Sequence, residues 1–62
     1  MYKKFETLLK ERGVTPYRVA KETGITTSTL SEWKNGHFTP KVNKIQKIAD
    51  YFGVSLDYFY KE

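Results

Sequence analysis

The side chains best equipped for specific chemistry lie together in residues 27–35: Thr27, Ser28, Ser31 and Glu32, with Asn35 behind them. A hydroxyl both donates and accepts a hydrogen bond, a carboxylate only accepts, and an amide offers both. No serine, histidine or acid sits at a spacing that pairs a nucleophile with its base, and the glycines are isolated, so neither covalent catalysis nor a phosphate loop is indicated. Cysteine is absent, and the lone histidine, His37, reads as a loop residue or phosphate neighbour rather than a metal ligand. No cofactor or small-molecule substrate is expected. The polar set suits a patterned hydrogen-bonding surface such as the edges of base pairs. Short hydroxyls let a backbone come close, a threonine methyl can meet a thymine methyl, and Glu32 can accept from cytosine N4. The alternative is an ordinary solvated helix face whose Ser and Thr residues cap its N-terminus.

The elements that must hold these side chains are sharply punctuated. A helix from about Thr27 to Asn35 turns Leu30 and Trp33 inward. At about 100° per residue, Ser28, Glu32 and Asn35 then fall nearly opposite, Ser31 lies beside them, and Thr27 sits on the flank of the first turn. A helix before it starts at Thr15-Pro16, where threonine can cap free amides and proline sacrifices no hydrogen bond. It buries Val19 and Ala20 and stops at Gly24, and Ile25 is the apolar residue of the connector. Two helices of about two turns each, joined by so short a turn, must cross steeply; this is the sequence logic of a helix-turn-helix.

The remaining helices build the support. Phe5, Leu8 and Leu9 recur at helical spacing in residues 2–12, and Gly13 stands where a C-cap belongs. Thr39-Pro40 predicts the start of a fourth helix, whose stripe is Val42, Ile45, Ile48, Ala49 and Phe52, closed by Gly53. Ser55 is expected to cap a last short helix carrying Leu56, Phe59 and Tyr60. The expectation is an all-α fold: one compact domain of five short helices over residues 1–62, with the helix-turn-helix in the second and third.

The chain has 62 residues, with 11 basic and 7 acidic side chains and a formal net charge of +4. A chain this short buries only about 60% of its unfolded surface and spares little core for an internal pocket. No apolar run approaches the ~20 residues of a membrane span. The N-terminal residues do not read as a signal peptide, and the lack of cysteine fits a cytoplasmic protein. The basic charge is concentrated: Lys34, Lys41, Lys44 and Lys47 follow one another without an intervening acid, whereas Asp50, Asp57 and Glu62 outnumber Lys61 at the end. A localised basic segment points to a polyanion partner or to a solvated lysine-rich surface. Tyr51, Tyr58 and Tyr60 cannot all be inside so small a domain, so they form either a partner surface or partly exposed residues of a monomer.

Gly24-Ile25-Thr26, Leu30, Trp33, Asn35-Gly36, Thr39-Pro40 and the Ile45/Ile48/Ala49 stripe ending in Phe52-Gly53-Val54-Ser55 resemble the phage repressor and Cro-like helix-turn-helix family. The likeness covers nearly the whole chain and is greatest to the N-terminal DNA-binding domains of Xre-type, lambda-repressor-like regulators from Gram-positive bacteria and their phages. The resemblance implies sequence-specific binding of a double-stranded DNA operator in the nucleoid, with repression as the default; if two copies bind together as a homodimer, the expected site is an inverted repeat. It places base contacts on Thr27, Ser28, Ser31 and Glu32, and a phosphate contact on Asn35. Pro16-Tyr17 stands where relatives carry a phosphate-gripping glutamine, and the Tyr17 hydroxyl is the candidate replacement. The loop and helix start from Gly36 to Lys41 would lie beside the DNA backbone, with Lys34, His37, Thr39, Lys41 and Lys44 near phosphates. Lysines in a first helical turn oppose the helix dipole, which suits an anionic partner better than helix stability. Because Thr27 and Ser28 replace the longer glutamines of well-known relatives, the base pattern read there does not transfer. The rival reading is a protein-interaction module of the same fold, such as an antitoxin or anti-repressor-binding domain, which would need no basic flank.

Overall fold

The computed structural model describes residues 1–61; Glu62, one of the C-terminal acids and the end of the expected domain, lies outside them. Five helices follow in order: α1 (Tyr2–Arg12), α2 (Pro16–Thr23), α3 (Thr27–Lys34), α4 (Val42–Phe52) and α5 (Asp57–Tyr60). Among the described residues there is no strand, so the all-α expectation holds.

Local chemistry explains most of the boundaries. The Thr15 side chain accepts from the Arg18 amide at 3.2 Å, with Pro16 at the first helical position, so α2 begins where the cap and proline predict. Thr26 does the same for α3, accepting from the Thr29 amide at 3.1 Å. Both α1 and α4 end on a left-handed glycine, Gly13 and Gly53, followed by a valine whose amide reaches back five residues: Val14 to the Leu9 carbonyl at 3.1 Å, and Val54 to the Ala49 carbonyl at 3.0 Å. This pairing satisfies carbonyls that a helix end would otherwise leave open.

The fourth helix starts later than the threonine–proline pair predicts. Thr39 and Pro40 belong to the connector, Lys41 is the N-cap without a side-chain cap bond, and the helix opens at Val42. Proline pushes the residue before it toward extended backbone, and here Pro40 is itself buried rather than solvated in a first turn. Val42, expected at the head of the apolar stripe, is 56% exposed. Helical side chains lean toward the N-terminus, and no helical turn precedes Val42 to carry its side chain onto the core. Two other ends shift slightly. Asn35 caps α3 rather than extending it. Ser55 does not cap α5 with its side chain; its carbonyl accepts from the Tyr58 amide at 3.1 Å, and the helix begins at Asp57.

Every helix contributes to one core: Phe5, Leu8 and Leu9 from α1, Val19 and Ala20 from α2, Leu30 and Trp33 from α3, Ile45, Ile48, Ala49 and Phe52 from α4, and Phe59 from α5, with Ile25 inserted from the α2–α3 connector. Leu56, Tyr51 and Tyr58 pack partly against it, and Tyr60 is 49% exposed.

A polar tie joins the ends of the two longest helices. Arg12 in the last turn of α1 donates from Nη1 to the Phe52 carbonyl at 2.9 Å. A guanidinium at a helix C-terminus satisfies an open carbonyl and opposes the negative end of the dipole. Arg12→Ala is expected to lower the unfolding free energy by about 1–2 kcal/mol, read from urea denaturation; an unchanged midpoint would mean that solvent replaces the bond without loss.

Candidate nucleic-acid interface

The helical period that buries Leu30 and Trp33 puts Thr27, Ser28, Ser31 and Glu32 on the exposed side of α3. Thr26 and Thr29 engage each other, their hydroxyls 2.9 Å apart. The capping work at this N-terminus therefore falls on Thr26, and no hydrogen bond among the described residues occupies the side chains of Thr27, Ser28 and Ser31.

The flanks of α3 are concave on two sides. One cleft of about 160 Å³ is lined by Tyr2, Pro16, Thr27, Leu30, Ser31 and Lys34. The other, about 390 Å³, is lined by Thr29, Phe38, Pro40, Lys41, Asn43 and Lys44. Of the predicted site residues, Thr27, Ser31 and Lys34 line the cleft on the side of the α1 and α2 starts, and Lys41 and Lys44 the one on the side of the α3–α4 connector; Ser28, Glu32, Asn35, His37 and Thr39 line neither. Tyr17, next to Pro16 on α2, is 69% exposed. Asn35, Thr39 and Lys41 are exposed and Lys44 is half-buried.

Two residues behave differently from the sequence picture. Glu32 is not a free carboxylate: its Oε2 contacts the Nδ1 of His37. A carboxylate only accepts, so the imidazole N–H donates. Tyr2, absent from the predicted site, closes the wall of the first cleft and stands edge-on to Trp33, with ring centroids 5.2 Å apart. Burial, and secondly the neighbouring Glu6 carboxylate, push its phenol above the usual value. Its position one helical turn before Phe5 was the available signal. Phe38, 46% exposed, and the buried Pro40 are the apolar residues that line the second cleft.

A family profile described as helix-turn-helix matches residues 5–59. The chain belongs to this family. The match opens on Phe5 and closes on Phe59, the first and last buried residues of the core, so it spans every buried core residue. The likeness to phage repressor and Cro-like proteins read from the motifs is therefore borne out, and α2, the Gly24-Ile25-Thr26 connector and α3 are its helix-turn-helix. A relative in Haemophilus influenzae, described as an "Uncharacterized HTH-type transcriptional regulator", is 37% identical over 43 residues, 69% of this chain. The aligned part makes up 18% of that relative's length, so this helix-turn-helix chain corresponds to a small fraction of it. No solved structure matches the chain.

Among the described residues no helix is long and apolar enough to cross a membrane, and no cluster of three or more His, Asp or Glu could hold a metal ion.

Proposed function

We propose that this helix-turn-helix chain binds double-stranded DNA sequence-specifically and regulates transcription, with α3 in the major groove. The observation that carries the reading is the division of α3: Leu30 and Trp33 lock one side into the core, while Thr27, Ser28, Ser31 and Glu32 stand on the other without a packing role. A helix rigidly held from behind and set with short polar groups in front can lie close to base edges. Lys34, Lys41 and Lys44, with Tyr17, Asn35 and Thr39, supply donors on both flanks for the phosphates that fix its register. The relative's description as a transcriptional regulator supports the same class of function. Following the family resemblance, the regulator acts in the cytoplasm as a repressor that occupies its operator, two copies binding an inverted repeat whose half-site centres lie about 34 Å apart.

The test is a binding-site selection from a random duplex library with wild type, Ser28→Ala, Glu32→Gln and Lys41→Ala, each checked for folding by circular dichroism. Ser28→Ala and Glu32→Gln are expected to alter preference each at its own base position, by about 1–3 kcal/mol. Lys41→Ala is expected to weaken all duplexes nearly equally, because phosphates carry no sequence information directly. If the Ser28 and Glu32 variants select the wild-type site with wild-type stringency, α3 is not the reader, and a protein-interaction role for this fold takes precedence.

A further inference from the structure

The end of α3 departs from the ends of α1 and α4 in one chemical respect. All three close on a left-handed glycine whose next residue donates its amide five residues back; in α3 these are Gly36, with φ of 76°, and His37, bonded to the Glu32 carbonyl at 2.9 Å. The Gly36 amide completes the motif on the Trp33 carbonyl at 3.1 Å. This geometry returns the residue after the glycine to the side of the residue five before it, and a hydrophobic contact commonly accompanies it. In α1 and α4 that residue is Val14 or Val54, each half-buried against the core. In α3 it is a histidine, 63% exposed in its side chain, and what its ring touches is the 49% exposed carboxylate of Glu32.

A backbone device thus aims an imidazole N–H at the one acidic side chain on the proposed reading face. A free glutamate samples many rotamers and must lose that freedom on binding. It also brings a negative charge toward a polyanion, and a donated hydrogen bond offsets part of that charge. We infer that His37 is a positioning residue for Glu32: it holds the carboxylate in one orientation on α3 and so sets how stringently one base pair is discriminated. The inference rests on the proposed reading of DNA by α3 and gives His37 a role other than the phosphate contact expected from the sequence. Discrimination falls without His37 because an unheld carboxylate pays its ordering cost on the correct base and swings clear of a wrong one.

The probe is the duplex that wild type selects, together with every single-base-pair variant of it, titrated against His37→Ala, His37→Gln, Glu32→Gln and the Glu32→Gln/His37→Ala double variant. His37→Ala is expected to reduce discrimination at the Glu32-dependent base pair by about two- to tenfold and to leave the Ser28-dependent base pair unchanged. His37→Gln, which keeps a side-chain N–H donor, should recover most of the loss. In the Glu32→Gln background, removing His37 should cause no further loss of discrimination. The inference is overturned if His37→Ala weakens every duplex equally with discrimination intact, which makes His37 a phosphate contact. It is equally overturned if the loss persists without Glu32, or if discrimination does not change. Failure of the parent reading has its own signature, unchanged preference in both Ser28→Ala and Glu32→Gln, and removes the inference with it. Because the His37 ring is mostly exposed, thermal melts of these variants should match wild type.

Discussion

Trp33→Ala unfolds the domain or leaves it at the edge of unfolding. Trp33 is 4% exposed and anchors an aromatic cluster: its ring stacks on Phe5 at 5.3 Å and meets Tyr2 edge-on at 5.2 Å, while Phe5 reaches Phe52 at 6.1 Å. Truncating a buried tryptophan costs about 3–5 kcal/mol, because the cavity only partly collapses. A domain this small has a total stability of only about 3–9 kcal/mol. The aromatic pairs add about 0.5–1.5 kcal/mol each beyond burial, so the loss is expected toward the upper end. The sequence pattern turns Trp33 inward; in the structure its aromatic partners come from α1. Tyr2→Ala should therefore destabilise in the same sense by a smaller amount, since Tyr2 is only half-buried. Far-ultraviolet circular dichroism against temperature and urea decides the matter. A native-like melt for Trp33→Ala would show that α3 is not anchored through this side chain, and the rigid presentation of its outer face would lose its basis.

Duplex binding is expected to weaken steeply with salt. Lys34, Lys41 and Lys44 border the proposed phosphate track, Lys34 on one cleft and Lys41 with Lys44 on the other. Neutralising roughly three to five phosphates per domain gives a slope of log affinity against log salt of about −3 to −5. Between 50 and 200 mM salt that amounts to about a sixtyfold to thousandfold loss of affinity. Removing Lys41 should flatten the slope by about one unit, a different signature from the base-specific losses expected at Ser28 and Glu32. Fluorescence anisotropy titrations of one duplex at several salt concentrations read both quantities. A flat response would exclude a phosphate track on these flanks and with it the proposed DNA-binding function.

Chain order alone determined the number and kind of helices, the helix-turn-helix, and which side of α3 faces out. Those features depend on local rules: a left-handed glycine, a capping threonine and the helical period act within a few residues, whatever the rest of the chain does. The start of α4 was not settled locally. Thr39-Pro40 is a sound cap-and-proline signal, but Pro40 is buried in the connector, Lys41 is still extended, and the helix opens only at Val42, which is left outside. Only tertiary packing could decide that, because it set core contacts of the connector against a local preference. The same holds for Trp33, whose aromatic partners Tyr2 and Phe5 lie far back in the chain, and for Arg12, which ties α1 to the end of α4 across 40 residues. The pairing of His37 with Glu32 stands between the two cases. Its backbone half was implicit in Asn35-Gly36, since a glycine-terminated helix end returns the following residue to its fifth predecessor. Whether the ring then meets the carboxylate or turns to solvent depends on side-chain placement in three dimensions, and there the tertiary structure brought the acid of the outer face against its histidine.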